Sequence, residues 1–186
     1  MLSALASADA AILSWIASLP HPPWLTWVMV EVSKAAAGGA VWIVIGGVLA
    51  LAWRAPATGG AWRAVLAVWL ALVVTNDVVK PIVARPRPFE ANSAVSASSP
   101  LRPISSSFPS GHAASAVAGA YALALVWPRG RRVLWTLAAL VAVSRLYLGV
   151  HYPLDVVAGA LLGWGCAVLA TANTPCYTSR SLPRAA

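Results

Sequence analysis

Charged side chains are scarce in this sequence, and acidic ones are scarcer still. Only 10% of the 186 residues are Asp, Glu, Lys or Arg, and just 5 of these are acidic. Soluble globular domains carry roughly 25% charged residues. This shortage, together with 60% hydrophobic residues, excludes an ordinary soluble domain and indicates a membrane protein.

Cysteine is also rare, with two in the whole chain. Cys166 falls within an apolar run, and Cys176 lies in a tail that we expect to face the cytoplasm, where reducing conditions disfavour a disulfide. A cleavable leader is not apparent either, because the N-terminus lacks a basic region and Asp9 interrupts the apolar stretch. We therefore expect neither a disulfide framework nor a removed signal peptide.

Long apolar runs take up most of the remaining sequence. A transmembrane helix needs about 17 to 25 apolar residues, and proline or glycine separates the runs, as at Pro56, Pro81, Pro128 and Pro153. The pattern predicts an all-α integral membrane helical bundle with about five to six transmembrane helices. The five clearest runs are 39–53, 61–79, 111–127, 133–148 and 154–172.

Two weaker segments, 3–19 and 24–37, precede these runs. Both are short and interrupted by charged residues, so we expect amphipathic helices that lie at the membrane interface; a first true span that begins near Ala4 is the alternative. The predicted organisation is N-terminal interfacial helices in 1–37, a transmembrane core in 38–173 and a cytoplasmic tail in 174–186.

The basic residues predict the orientation in the membrane. Helix connectivity places seven cations and no acid on one side, whereas the other six cations and all five acids belong to the opposite side or to the interfacial helices. Short loops rich in Lys and Arg stay in the cytoplasm. We therefore expect the cell membrane as the location, the C-terminus inside, and an outward-facing surface opposite these residues: Arg54, Arg63, Arg129, Arg131, Arg132, Arg180 and Arg184.

Polar residues gather at the predicted outer ends of four helices. They form three blocks, KPIVARPRP, PSGH and SRLYLGVHYPLD, which begin at Lys80, Pro109 and Ser144. A loop rich in Ser, Ala and Pro, 92–110, joins the first block to the second. Ionisable residues near membrane depth are costly and are usually functional. We expect the three blocks to meet at one site on the outer side.

The residue types in these blocks suit a phosphoryl group. Lys80, Arg87 and Arg145 supply three cations, and guanidinium groups can contact oxyanions in a bidentate manner. Ser110 is placed to cap a helix, and Gly111 allows close approach of the backbone N–H groups at the positive end of the helix dipole. The sequence thus predicts a phosphate-binding cradle.

Two histidines and one carboxylate complete the candidate site. His151 and Asp155 are four residues apart, so the carboxylate could accept one ring N–H and leave the other nitrogen free as a nucleophile. Histidine exchanges protons near neutral pH, which also suits His112 for acid and base catalysis.

Together the three blocks resemble the signature motifs of the type 2 phosphatidic acid phosphatase superfamily, which also contains vanadium haloperoxidases and bacterial acid phosphatases. The first motif matches at Lys80, Arg87 and Pro88, the second at 109–112, and the third at Ser144, Arg145, His151 and Asp155. The resemblance covers roughly 39–172. It implies that His151 attacks phosphorus and becomes a phosphohistidine, that Asp155 orients it, and that His112 protonates the leaving oxygen.

Simpler interpretations exist for each feature. PSGH alone could be an ordinary helix cap, and His151 with Asp155 could be a structural pair. A zinc site of His112, His151 and Asp155 is disfavoured because the nearby cations would repel a metal, and we expect no cofactor. Asp77 could pair with Lys80 three residues later. Arg85 and Arg102 lie outside the shared motifs and could contact a second phosphate or the headgroup zone.

The predicted activity is metal-independent hydrolysis of a phosphate monoester or diphosphate of a membrane lipid. We expect the bilayer and a lipid phosphate as partners, and no nucleic acid. Undecaprenyl diphosphate fits an outward-facing site best, with phosphatidylglycerol phosphate, phosphatidate and another polyprenyl phosphate as open alternatives. A protein that binds or transports a lipid phosphate without turnover is the competing class of function.

Overall fold

The computed structural model describes residues 2–53, 55–91, 95 and 100–172. All regular elements in this part of the chain are helical. The predicted tail, 174–186, lies outside the described residues. The helices are α1 (Leu2–Ser18), α2 (Pro23–Ala35), α3 (Ala40–Trp53), α4 (Ala55–Val73), α5 (Lys80–Val83), α6 (Pro88–Ala91), α7 (Gly111–Val126), α8 (Arg131–Tyr147) and α9 (Pro153–Thr171).

Helix α7 is the centre of the bundle and packs against α4, α8 and α9. Its sequence, GHAASAVAGAYALALV, consists mostly of alanine and other small residues, and 11 of its 16 residues are buried. Small residues allow helix backbones to approach closely, which favours helix association within a bilayer. The low side-chain volume of α7 therefore explains why three helices can surround it.

Two glycines on α9 set the closest approach to α7. A Cβ atom at Gly159 would lie 2.3 Å from the carbonyl oxygen of Ser110, and one at Gly163 would lie 2.1 Å from that of Ala114. These glycines are spaced as in the GxxxG pattern of tightly packed membrane helices. They hold the N-terminus of α9, with Asp155, against the N-terminus of α7.

Two irregularities interrupt the regular helices. Gly38 and Gly39 have φ values of 59° and 75°, which glycine adopts without strain, and a bend of 51° separates α2 from the helical segment that follows. A π-helical turn, Val74–Val79, joins α4 to α5. Such turns are frequent at functional sites, and this one directly precedes Lys80.

The helices follow the predicted apolar runs closely from α7 onward. The candidate span in this region begins at Gly60, next to the predicted start at 61. The predicted break at Pro56 is wrong, however, because α4 begins at Ala55 and continues through Gly59 and Gly60. Pro56 lies in the first turn of this helix, where its missing N–H has no helical partner to lose.

Two described segments are long and apolar enough to cross a membrane, Gly60–Ala91 and Pro153–Thr171, and a third span results if the bent pair Pro23–Ala35 and Ala37–Leu51 is counted as one. Helix α7 and Ala4–Ser18 are apolar but shorter. An all-helical membrane architecture is therefore confirmed, while the number of five to six transmembrane helices stays a prediction.

The packing of α9 on α7 gives a direct stability test. Gly163→Ala should destabilise the protein by about 1 to 3 kcal/mol, because the new methyl group must displace backbone rather than a flexible side chain. Thermal unfolding of the purified protein in detergent measures the change.

Gly165→Ala is the matched control on the same helix, since a Cβ at Gly165 meets no atom within 4 Å. It should leave the unfolding temperature unchanged or raise it, because alanine favours helix more than glycine does. Equal effects of the two substitutions would contradict the proposed close approach.

Candidate active site

A cavity of about 230 Å³ opens where the start of α7, the end of α8 and the loop that follows α8 meet the segment after α4. It brings together residues that lie far apart in the sequence. Six of the eight predicted site residues line it, and the other two, Ser110 and Asp155, are buried directly behind its wall. The six are Lys80, Arg87, Gly111, His112, Arg145 and His151.

The start of α7 forms one wall of the cavity. Ser110 caps the helix, because its side chain accepts a hydrogen bond from the N–H of Ala113 at 3.4 Å, and its own N–H donates to the Asp155 carbonyl oxygen at 2.9 Å. Gly111 leaves space for Asn76, whose Oδ1 would lie 3.1 Å from a Cβ at that position. The unpaired N–H groups and dipole of this helix end favour an anion.

Arg87 is fixed in a single orientation by backbone acceptors. Nε donates to the Ser105 carbonyl oxygen at 2.6 Å, and Nη1 donates to the Val150 carbonyl oxygen at 2.8 Å. Nη1 also lies 3.5 Å from His151 Nε2. The guanidinium group, only 2% exposed, is therefore held beside the imidazole before any substrate arrives, which lowers the entropic cost of binding.

Arg145 and Lys80 bring two further cations to the cavity. Arg145 is buried, donates from Nη1 to the side chain of Ser33, and keeps an Nε group without a partner among the described residues. Lys80 Nζ donates to Ser105 Oγ at 3.4 Å and, in the part of the chain described, forms no ion pair with Asp77. A buried donor without an acceptor is costly, so this site favours an entering anion.

His112 faces the cavity from the first turn of α7. Its Nε2 lies 3.1 Å from the carbonyl oxygen of Ser33. Because a carbonyl oxygen can only accept, Nε2 carries the proton in this arrangement. Ser33, on the last turn of α2, thus contacts both His112 and Arg145, although the sequence offered no signal that distinguished it from other serines.

His151 lies in the loop between α8 and α9 and is almost fully buried. Burial, together with the positive charges of Arg145 and Arg87, lowers the pKa of His151 to about 4 and outweighs the opposing effect of Asp155. A neutral imidazole at physiological pH keeps a lone pair available for nucleophilic attack.

Asp155 is close to His151 but does not form the expected hydrogen bond. His151 Nδ1 and Asp155 Oδ2 are 3.6 Å apart, and Nδ1 has no partner among the described residues. Oδ2 instead accepts the Tyr152 N–H at 2.9 Å and the Ser107 hydroxyl. The carboxylate is thus placed to receive Nδ1–H after a small shift.

Asp155 also contacts Arg85, which sequence analysis placed outside the shared motifs. Arg85 Nη1 donates to Asp155 Oδ1 at 2.6 Å, and Nη2 donates to Asp9 at 2.7 Å. Arg85 therefore faces two carboxylates rather than the cavity. Arg102 lies over the ring of Phe89 at 5.0 Å. The described residues contain no group of three His, Cys, Asp or Glu side chains that could hold a metal ion.

A second cavity of about 480 Å³ shares Asn76, Lys80 and Ser105 with the first. Pro81 and Ala84 on its wall belong to α5 and its C-terminal cap. Nearby Ile82 and Val83 are exposed apolar residues. The cationic cavity therefore adjoins, across these shared residues, an opening beside an apolar helix surface.

Cations, histidines and a helix N-terminus surround one cavity in an apolar helical bundle, an arrangement whose charge favours an anion. The model of the PAP2 superfamily matches residues 60–176. The chain belongs to this superfamily.

The chain is similar to known lipid phosphatases. It is 42% identical to an undecaprenyl-diphosphatase of Sulfolobus acidocaldarius over 92 residues, which span 49% of this chain and 44% of that protein. It is 36% identical to a decaprenylphosphoryl-5-phosphoribose phosphatase of Mycolicibacterium smegmatis over 151 residues, which span 81% of this chain and 80% of the relative.

The fold is also that of a solved membrane phosphatase. A transmembrane PAP2-type phosphatidylglycerolphosphate phosphatase from Bacillus subtilis superimposes with a TM-score of 0.71 and 28% identity. The similarity covers 91% of this chain and 85% of the Bacillus protein. The resemblance inferred from the three sequence motifs is thus confirmed at the level of the family.

Proposed function

We propose that this protein is an integral membrane lipid phosphatase that hydrolyses a phosphate monoester or diphosphate through a phosphohistidine at His151. The observation that carries the proposal is the single cavity in which Lys80, Arg87 and Arg145 surround the imidazole of His151. A protein that only binds lipid phosphates needs the cations but has no use for a neutral, buried imidazole beside them.

In the first step, His151 Nε2 donates its lone pair to phosphorus, and the bond from phosphorus to the lipid or phosphate leaving group breaks. Arg87, Arg145 and Lys80 stabilise the charge on the equatorial oxygens. Asp155 compensates the positive charge that develops on the ring through Nδ1–H. His112 enters this step as the imidazolium: its Nε2–H stays on the Ser33 carbonyl oxygen, and its Nδ1–H gives the proton to the departing oxygen, which leaves as a lipid alcohol or a protonated lipid phosphate.

In the second step, water attacks the phosphohistidine from the side that the leaving group vacated. His112, which has lost its proton, accepts one from this water, and the bond from phosphorus to Nε2 breaks. Inorganic phosphate leaves, and both histidines return to their starting protonation states. His112 thus acts as an acid in the first step and as a base in the second, and His151 forms and then releases its bond to phosphorus, as a two-step displacement requires.

For the substrate we propose undecaprenyl diphosphate. The two similar relatives described above are named for polyprenyl substrates, an undecaprenyl diphosphate and a decaprenylphosphoryl sugar. The small cationic cavity suits a diphosphate, and the adjoining opening beside α5 offers a path for the lipid chain. Phosphatidylglycerol phosphate, the substrate named for the Bacillus structure, and phosphatidate are the competing substrates.

A panel of lipid phosphates tests this function. Purified protein in detergent should release phosphate fastest from undecaprenyl diphosphate, with EDTA present or absent, and His151→Ala should abolish release because no covalent intermediate can form. His21→Ala is the control, since His21 lies near Tyr147 and not at the cavity. Unchanged turnover by His151→Ala would refute the mechanism, and no release from any lipid would favour a binding protein.

We also propose that the cavity faces away from the cytoplasm, on the basis of the basic loops. Ile104→Cys should react with a membrane-impermeant maleimide added to intact cells, because Ile104 is fully exposed near the cavity. Arg131→Cys, at the opposite end of α8 from Arg145, should react only after lysis. The reverse pattern would place the substrate on the cytoplasmic side.

A further inference from the structure

Asp9 is a buried carboxylate in an otherwise apolar helix, and the mechanism above does not use it. It lies on α1, outside the family match at 60–176, and its side chain is only 1% exposed. A buried charge is costly unless it is paired and hydrogen-bonded. The groups that contact Asp9 therefore explain why its carboxylate is stable in a buried position.

Both oxygens of Asp9 contact the catalytic end of the bundle. Oδ2 accepts from Arg85 Nη2 at 2.7 Å, and Oδ1 accepts from the N–H of Leu154 at 2.8 Å. Leu154 is in the first turn of α9, where N–H groups have no partner within the helix. Asp9 thus caps the helix that carries Asp155, from a different helix and from 145 residues away in sequence.

Arg85 connects Asp9 to Asp155. Its guanidinium group donates to one carboxylate from each Nη nitrogen, at 2.7 Å and 2.6 Å, and its Cζ lies 3.8 Å from the centre of the Tyr152 ring. A planar guanidinium group held by two carboxylates and an aromatic ring has little freedom to rotate. Asp155 Oδ1 is consequently fixed, which leaves Oδ2 directed toward His151.

We propose that Asp9 and Arg85 are positioning residues that hold the Asp155 carboxylate in place for His151, so that the N-terminal helix completes the active site. The inference deepens the proposed function and rests on it. Neither residue lines the cavity, so both act through Asp155 rather than on the substrate. Two negative charges and one positive charge then share the space behind His151.

The kinetic expectation separates positioning from substrate binding. Arg85→Met should lower kcat by about 10- to 100-fold, the range typical for groups that orient a functional side chain, and leave KM within about twofold, because the cavity is untouched. Asp9→Asn should lower kcat less, since the amide oxygen can still accept from the N–H of Leu154.

The pH dependence supplies a readout that mere structural damage would not give. Loss of the Arg85 charge leaves Asp155 less compensated, which favours the protonated imidazole, so the acid limb of kcat/KM should move up by about one pH unit. Loss of the Asp9 charge disfavours the protonated imidazole instead, so the acid limb of kcat/KM should move to lower pH or keep its wild-type position. The other charged and titratable groups near His151 remain in both variants: Lys80, Arg87, Glu90, His112, Arg145, Tyr152 and Asp155.

Conservative and control substitutions complete the set. Arg85→Lys keeps the positive charge but loses the guanidinium geometry that contacts two carboxylates at once. It should therefore return the acid limb of kcat/KM to its wild-type position and recover only part of kcat. Glu31→Gln removes an acid from an exposed pair with Lys34, and Arg131→Met removes an exposed cation at the far end of α8. Both should behave as wild type.

If Arg85→Met does not fold because Asp9 is left unpaired, the double variant Asp9→Asn/Arg85→Met, which buries no unpaired charge at these positions, carries the test. Thermal unfolding identifies the folded variants.

The outcomes are distinct from those of the proposed function. With wild-type turnover present and lost in His151→Ala, unchanged kcat in folded Arg85 variants would overturn the positioning role alone. In folded Arg85→Met, a fall in kcat with no upward movement of the acid limb would reduce Asp9 and Arg85 to a structural pair. No phosphate release by the wild type would instead refute the proposed function itself.

Discussion

Three positively charged side chains lie in one small cavity, and the electrostatic repulsion between them is the constraint on which the rest of the structure depends. Arg87 and Arg145 are 2% and 3% exposed, and no acidic side chain among the described residues lines the cavity with them. Like charges that are removed from water raise the free energy of the empty site. An entering phosphoryl group relieves this repulsion, so the arrangement favours an anion over other ligands. The backbone carbonyl groups that hold Arg87 keep the cavity in this arrangement before substrate binds.

The acidic residues lie in a layer behind the cavity. Asp155 and Asp9 face Arg85 on the far side of His151, so His151 separates a cationic layer that lines the cavity from a charge network that lies beside the ring. Close packing of α9 on α7 at Gly159 and Gly163 fixes the position of these two layers relative to each other. In this account, the small residues of the bundle centre and the polar residues around the cavity serve one purpose, which is to fix an imidazole between opposite charges.

Much of this arrangement could be predicted from the sequence, because the three motif blocks and the apolar runs at 111–127, 133–148 and 154–172 are local patterns. The contacts that could not be predicted join residues distant in sequence: Ser33 with Arg145, and Asp9 with Arg85. Asp9 was visible as a lone carboxylate in an apolar segment, but only the packing of α1 on α8 and α9 gives it a partner. The helical path through Pro56 was mispredicted because proline in a first turn is compatible with a helix.

A structure of the protein with bound vanadate, which resembles five-coordinate phosphorus, tests the central claim most directly. The account predicts vanadium bonded to Nε2 of His151, with Arg87, Arg145 and Lys80 on its equatorial oxygens and His112 opposite the attacking nitrogen. Vanadate bound away from His151, or held by the cations without a bond to the imidazole, would contradict it.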